Sequence, residues 1–247
     1  MDISINGARV YFEIPIFGGI PVTATQVNSI LVIAAIAALC IWLTHDLKVR
    51  PTSKRQIVAE WLVEKATGLV SANMGEAFLS FTPFIAAILS LSTCSSLLAL
   101  LGMYAPTADL NTVLGWALLV FAMITYFKIK ANGFGGYLKS FTGPVVVFTP
   151  FNILGEIATP ISMAFRHFGN IVSGSVISAL VYAALAALSN VLFGWLPGLL
   201  GKIPFLQVGI PGFLSIYFDL FSSCIQAFIF AMLTMLYIAS AATPEEN

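Results

Sequence analysis

Arg166 and Asp219 are the two residues of the second half of the chain best equipped for chemistry. Arg166 is the only formal charge between Glu156 and Lys202, and Asp219 the only one between Lys202 and Glu245. Each lies in a long apolar run. An arginine at the centre of a bilayer costs ~2.5–3.5 kcal/mol on insertion scales and ~10–17 kcal/mol on an isolated helix in simulation. Its presence there implies a function, a partner or both. Both charges sit in polar stripes at helical spacing. Ser162, Arg166, Asn170 and Ser173 stand at i, i+4, i+8 and i+11. Ser215, Asp219, Ser222 and Gln226 stand at the similar offsets i, i+4, i+7 and i+11, so each set occupies one helical face. If the two segments run antiparallel, Arg166 and Gln226 share a level, and Asp219 falls level with Ser175, about two turns nearer the outer side. Two readings follow. One is a salt bridge between Arg166 and Asp219 inside the bundle; the ~10 Å of two turns opposes it. The other is a guanidinium without a resident carboxylate, visited by a mobile one.

The elements that carry these stripes are read as membrane helices. Hydrophobic residues make up 59% of the 247-residue chain and charged residues 9%, against about 25% charge in a soluble domain. Mean hydropathy is +0.95. The fold class is therefore all-α integral membrane protein, one membrane domain over 1–247. Zero net charge argues against nucleic-acid binding. Segment 1–25, broken by Pro15, Gly18, Gly19 and Pro21, forms an outer N-terminal piece too interrupted to span, with no basic-then-apolar signal or transit pattern. Spans are expected at 27–43, 77–101 and 112–127, with an amphipathic interfacial helix over 56–75. A turn-rich loop is expected over 131–142, and an apolar stretch at 143–154, broken by Pro144 and Pro150, is expected to enter the membrane without crossing. Two long segments follow, 160–193 and 212–242, joined by a Gly/Pro-rich connector. At 34 and 31 residues they measure ~51 Å and ~46 Å as helices, more than a ~30 Å hydrocarbon core. A strongly tilted hairpin is the expected arrangement, with kinks at Gly169 or Gly174 as the alternative. Basic residues set the orientation. Lys48, Arg50, Lys54, Arg55 and Lys65, and with five spans also Lys128, Lys130 and Lys139, mark the inner side; Arg9 and Lys202 are left outside. The N-terminus is then outside and Glu245 and Glu246 inside.

Other chemistries find no support in the residue pattern. There is no Gly-x-x-x-x-Gly-Lys-[Ser/Thr] phosphate loop; Gly133, Gly135 and Gly136 read as a turn. Two isolated histidines do not make a zinc site, and no Ser/His/Asp set is evident. No cofactor and no catalytic site are expected on this chain. Cys40, Cys94 and Cys224 lie in apolar runs and are expected to be reduced, buried small hydrophobes.

Three stretches carry a resemblance: Pro-Thr-Ala-Asp-Leu-Asn at 106–111, Pro-Ile-Ser-Met-Ala-Phe-Arg-His-Phe-Gly-Asn at 160–170, and Ile-Gln-Ala-Phe-Ile-Phe-Ala-Met-Leu-Thr-Met-Leu-Tyr at 225–237. In order and spacing the chain resembles subunit a of the rotary F-type ATP synthase over nearly its whole length. The resemblance implies an ion-conducting stator beside a ring of c subunits, with b-type peripheral stalk subunits as further partners and lipid around it, in an energy-coupling membrane, most simply a bacterial plasma membrane. It implies H⁺ or Na⁺ as the translocated ion and two half-channels ending at the ring. Arg166 matches the essential arginine that faces the ring carboxylates, and Asn170 and Gln226 match its polar neighbours. Asp219 is read as the relay of the outer half-channel. Asp109, Glu156, Ser162, Ser173, Ser175 and Ser222 are candidate channel-lining residues. For Asp109 an N-cap role stands beside an outer inlet role, and for Glu156 a capping role stands beside the inner exit; Asn152 is a weaker candidate. Some positions depart from the family pattern. Ser175 stands where many relatives carry glutamate, Asp219 where relatives carry histidine or a non-acidic residue, His167 where leucine is usual, and Thr159 where lysine is common. His167 points about 100° away from Arg166 on a helix, which favours a packing role over proton relay. A secondary transporter with a buried charged site is the alternative function, set against the absence of paired broken-helix repeats; an intramembrane enzyme lacks a catalytic set.

Overall fold

The computed structural model describes residues 7–15, 19–49, 53–143, 145–193, 206 and 216–243. Most of them are helical, and five segments are long and apolar enough to cross a membrane: Ala24–Thr44, Glu76–Leu101, Leu110–Ser140, Val146–Phe193 and Leu220–Ala242. The order begins with a β-hairpin, strands β1 (Val10–Ile14) and β2 (Ile20–Thr23). It hands directly to helix α1 (Ala24–Thr44), where Thr23 N–H donates to the Gln26 side chain and Ala24 N–H to the Arg9 carbonyl. Helix α2 (Lys54–Met74) is capped by Ser53, whose hydroxyl accepts from Gln56 N–H, and stops at Gly75, φ +87°. Helix α3 (Thr82–Leu97) sits between 3₁₀ turns at Glu76–Phe81 and Leu98–Leu101. Helices α4 (Leu110–Ser140) and α5 (Thr149–Phe193) follow. A π-helical stretch at Ile216–Ser222 leads into α6 (Ser223–Ala242).

Helix α6 is the centre of the bundle. It is the most enclosed of the spans and packs against α2, α3, α4 and α5. Its inward residues Phe230, Ala231, Met235 and Ile238 are at most 1% exposed and join Val113, Ala117 and Val120 of α4, Ile85 of α3 and Ala164 of α5 in one cluster. Lipid is as apolar as these side chains, so burial alone does not drive helices together in a membrane; close packing and interhelical hydrogen bonds do. The fully buried Ala117, Ala164, Ala227 and Ala231 allow the backbones to approach. Hydrogen bonds between elements lie along the whole bundle: Thr25 to Asp109, Asn28 to the Tyr104 carbonyl, Ser96 to Thr107, and Lys128 to Glu156. Helix α5 is the longest span and the least enclosed. On α2 the apolar Ile57, Trp61 and Val63 point away from the bundle, and Arg55 lies 5.4 Å over the Trp42 ring of α1.

Several boundaries differ from the sequence reading. Most of the segment 131–142, expected as a loop, continues α4 to Ser140 beyond a break at Gly133, φ +71° and ψ +164°. Only glycine tolerates that conformation, so the turn signal was real but acts as a kink. The stretch 143–154, expected to enter the membrane without crossing, instead supplies from Thr149 onward the opening turns of α5, with Pro160 inside the helix. Pro160 has no N–H for the carbonyl four residues back. Beside that gap the Thr159 hydroxyl donates to the Gly155 carbonyl, the kind of local substitution that lets a membrane helix carry proline. At 45 residues α5 measures ~68 Å and cannot stand upright within ~30 Å of hydrocarbon. No break occurs at Gly169 or Gly174. The N-terminal β-hairpin was not anticipated. The cysteines are free, but Cys40 and Cys94 are exposed and Cys224 half-buried, because their apolar runs face outward. The connector 194–211, apart from Leu206, and the start of the last segment, 212–215 with Ser215, lie outside the described residues.

A Cβ added at Gly133 meets nothing within 4 Å, so the cost of substitution there is conformational alone. Gly133→Ala should destabilise the segment after the break by about 1–3 kcal/mol. Hydrogen exchange is expected to quicken at 134–140 and to stay unchanged at 113–127.

Candidate functional site

The two faces of α5 separate cleanly. Pro160, Met163, Ala164, His167 and Gly174 are buried, at the i, i+3, i+4, i+7 spacing of an inward stripe. Ser162, Arg166 and Ser173 are exposed on the opposite wall, together with Phe165 (54% exposed) and Ile177 (43% exposed). Arg166 therefore points out of the bundle. Among the described residues it makes no hydrogen bond or ion pair; the ion pairs found there are Lys128–Glu156 and His45–Asp46. The Ser173 and Ser175 hydroxyls donate to backbone carbonyls of their own helix, Asn170 and Val172.

Helices α5 and α6 meet at Asn170, whose amide donates to the Ser222 hydroxyl at 2.8 Å. That pair lies in the antiparallel register that places Arg166 level with Gln226, four residues further along one helix and four back along the other. Gln226 itself is buried, 6% exposed, at the helix interface and not on the outer wall. Asp219 belongs to the π-helical stretch before α6; its side chain lies outside the described residues. His167, next to Arg166, is fully buried. Its Nε2 is 3.2 Å from the Ser92 hydroxyl of α3, and its ring meets Trp116 of α4 and Phe230 of α6 edge to face. These are packing and helix-contact interactions.

Two cavities open among the described residues. One, about 360 Å³, lies among α4, α5 and α6 and is lined by Lys128, Asn132, Glu156, Thr159, Tyr237 and Ser240. Lys128 Nζ donates to Glu156 Oε2 at 2.6 Å; the other carboxylate oxygen, Oε1, is buried without a hydrogen-bond partner. Glu156 is thus paired across helices and does not cap its own. The other cavity, about 530 Å³, lies where the N-terminal hairpin meets the 102–104 turn and is lined by Arg9, Tyr11, Asn28 and Tyr104. Beside it Asp109 fills the expected N-cap role and adds an interhelical bond that was not expected. Oδ1 accepts from Asn111 N–H at the start of α4, and Oδ2 accepts from Thr25 of α1 at 2.8 Å. Burial first, and then the nearby Asp109 carboxylate, hold the Tyr104 phenol above its ordinary pKa, so it stays a donor to the Ala108 carbonyl.

Ser92, Thr25 and Trp116 were not anticipated, and Lys128 was read only as a topology marker. A signal existed for Ser92: Ser92, Ser95 and Ser96 repeat at i, i+3 and i+4 in an apolar span, and all three are buried. Asn152 is occupied structurally, donating to the carbonyls of Phe141 and Gly143 ahead of α5.

A family model described as ATP synthase A chain matches residues 26–239. The chain is 32% identical over 216 residues to "ATP synthase subunit a" of Desulforamulus reducens, covering 86% of this chain and 77% of that one. It is 30% identical to "ATP synthase subunit a 2" of a Bradyrhizobium species, covering 91% of each. It is 29% identical to "ATP synthase subunit a, sodium ion specific" of Propionigenium modestum, covering 89% of this chain and 74% of that one.

The Lys128–Glu156 pair is partly solvated at 32% and 16% side-chain exposure, so its coupling should be modest, about 1 kcal/mol. A double-mutant cycle of Lys128→Ala and Glu156→Ala, read by thermal unfolding in detergent, should show the double variant losing less than the sum of the single ones.

Proposed function

Because the chain belongs to the ATP synthase subunit a family, we propose that it is the stationary ion-conducting subunit against which a ring of c subunits turns, braced by b-type stalk subunits. The observation that carries this reading is the bearing of Arg166: exposed on the outer wall of a membrane helix, with no carboxylate beside it among the described residues. A guanidinium in that position is not stable against lipid. A protein surface bearing a carboxylate satisfies it.

The mechanism follows from that pairing. A ring carboxylate arriving opposite Arg166 has its pKa lowered and gives up its ion. Once ionised, it cannot turn into hydrocarbon until it is neutralised again. Arginine keeps its proton at any working pH, so it holds the two ion paths apart electrically without relaying between them. The cavity beside Asp109 is the outer inlet, with Asp219 as the polar relay nearer the ring. The cavity holding Lys128 and Glu156 is the inner outlet. Asn170, Ser222 and Gln226 fix the wall between them, and Ser162, Ser173 and Ser175 give it polar character. Each charge that crosses gains ~2.3 kcal/mol per 100 mV. The ion is H⁺ or Na⁺, and ATP chemistry belongs to other subunits. The basic residues put Lys128 inside and Asp109 outside, in a bacterial plasma membrane.

A secondary transporter would hold its charged site between repeats near the midplane; an arginine on the outer wall of the bundle does not fit that plan. Arg166→Ala should abolish ATP-driven ion pumping in membrane vesicles while the ring still copurifies with the chain; retained pumping would rule out the role given to Arg166. Asp219→Asn should slow transport on the outer side, and rates equal to the native ones across the pH range would reject the relay.

A further inference from the structure

One buried polar group has no part in that mechanism. His167 is fully enclosed, yet its ring is held by three neighbouring helices at once: by Ser92 of α3 at 3.2 Å, and by Trp116 of α4 and Phe230 of α6 at centroid distances of 6.4 and 5.7 Å. Trp116 and Phe230 also meet each other, at 6.5 Å, so the imidazole closes a triangle of rings. We propose that His167 is a positioning residue: it fixes the rotation of α5 about its axis, and thereby the bearing of Arg166 toward the ring. The inference rests on the ring-facing reading of Arg166.

Close to Arg166, the inward face of α5 offers little else that would fix its rotation. Its buried residues besides His167 are Pro160, Met163, Ala164, Gly174 and Ser189. Alanine and glycine offer no side chain that resists rotation, and methionine adapts to whatever gap it meets. Apolar contact in a membrane scarcely distinguishes a neighbouring helix from lipid. A hydrogen bond is directional, and the one between His167 and Ser92 lies one residue from Arg166. It is the one side-chain hydrogen bond of the ring among the described residues; the ring also meets the Gln226 backbone of α6, while Nδ1 is buried without a side-chain partner. The imidazole is thus held by a side-chain hydrogen bond from α3 and by contacts from α4 and α6, while Asn170 ties the helix to Ser222.

The tolerance is small. A side-chain tip at a radius of ~6 Å moves about 2 Å when its helix turns by about 20°, and a misplacement of ~1 Å at a reacting centre can cost ~10²-fold in rate. A helix as little enclosed as α5 needs such a lock.

Cross-linking in the intact complex, in membrane vesicles, reads the rotation. Ile177 lies within about 20° of Arg166 around the helix and Phe165 about 100° to one side, and both are exposed. Ile177→Cys and Phe165→Cys are each paired with ring cysteines at matching depth. In the His167→Ala background the ratio of the two yields should change by at least about threefold, and pumping, measured without the cysteines, should fall about tenfold. The shape of the pH profile should stay that of the native complex. His167→Gln, which can still bond Ser92, should restore most of both, and Ser92→Ala should shift the ratio in the same direction by a smaller amount. These last two variants carry the test if His167→Ala does not assemble. Unchanged yields with normal pumping would overturn the proposal. So would a displaced pH profile with unmoved cross-links, which would make His167 a proton relay. Arg166→Ala in the same vesicles separates the two readings: if it pumps, the ring-facing role falls; if it is dead while His167→Ala behaves as native, only the positioning role falls.

Discussion

A guanidinium on the outside of a membrane bundle is a demand placed on something else. Water hydrates an exposed arginine at little cost, whereas hydrocarbon does so only through snorkelling or local distortion of the bilayer. Arg166 projects from the middle of a helix roughly twice as long as the hydrocarbon core is thick, among Phe165, Ile161 and Ile177. The nearest formal charge before it in sequence, Glu156, is already engaged by Lys128. The surrounding architecture makes sense in that light. Helices α2, α3 and α4 are gathered around α6, and α5 is laid along their flank with one wall left open.

The bundle is held by means suited to a solvent that does not oppose exposure of apolar groups. Small residues bring α4, α5 and α6 together at Ala117, Ala164, Ala227 and Ala231, and single hydrogen bonds fix register between helices that contact alone would leave free to slide. These bonds are short-range in space and long-range in sequence: Ser92 to His167 spans 75 residues, Thr25 to Asp109 spans 84, and Asn28 to Tyr104 spans 76. Asp109 shows how a single side chain serves both scales, starting α4 with one oxygen and clasping α1 with the other.

Hydropathy made the spans legible, since twenty apolar residues in a row have few other uses. The stripe of Ser162, Arg166, Asn170 and Ser173 was equally legible, because a period of 3.6 fixes which residues share a wall. The register of α5 against α6 was within reach of residue counting, and Asn170–Ser222 realises it. What escaped was of two kinds. Gly133 and Pro160 are read as ends of helices in water, where a broken helix simply stops; in a membrane the backbone has nowhere to go, and the chain bends or patches the gap and continues as helix. Ser92 and Lys128 escaped because the value of a buried hydroxyl or an end-of-span lysine depends on a partner on another helix, and pairwise spacing along the chain does not encode that. Gln226 belongs with them: its place in a polar stripe was visible, but not that α6 lies at the centre of the bundle, so that its stripe is covered.

The centrality of α6 also bears on how the molecule is made. Every helix it packs against precedes it in sequence. A ribosome delivers residues at ~5–20 per second, so α1 to α5 are inserted seconds before the helix that joins them is available. During that interval the Trp116 and His167 rings lack Phe230, and Asn170 lacks Ser222. Newly inserted α5 then resides in the bilayer with an unsatisfied polar seam. The last helix is therefore the keystone of assembly, and a chain arrested before it would be recognisable to the cell's quality-control machinery by those exposed polar groups.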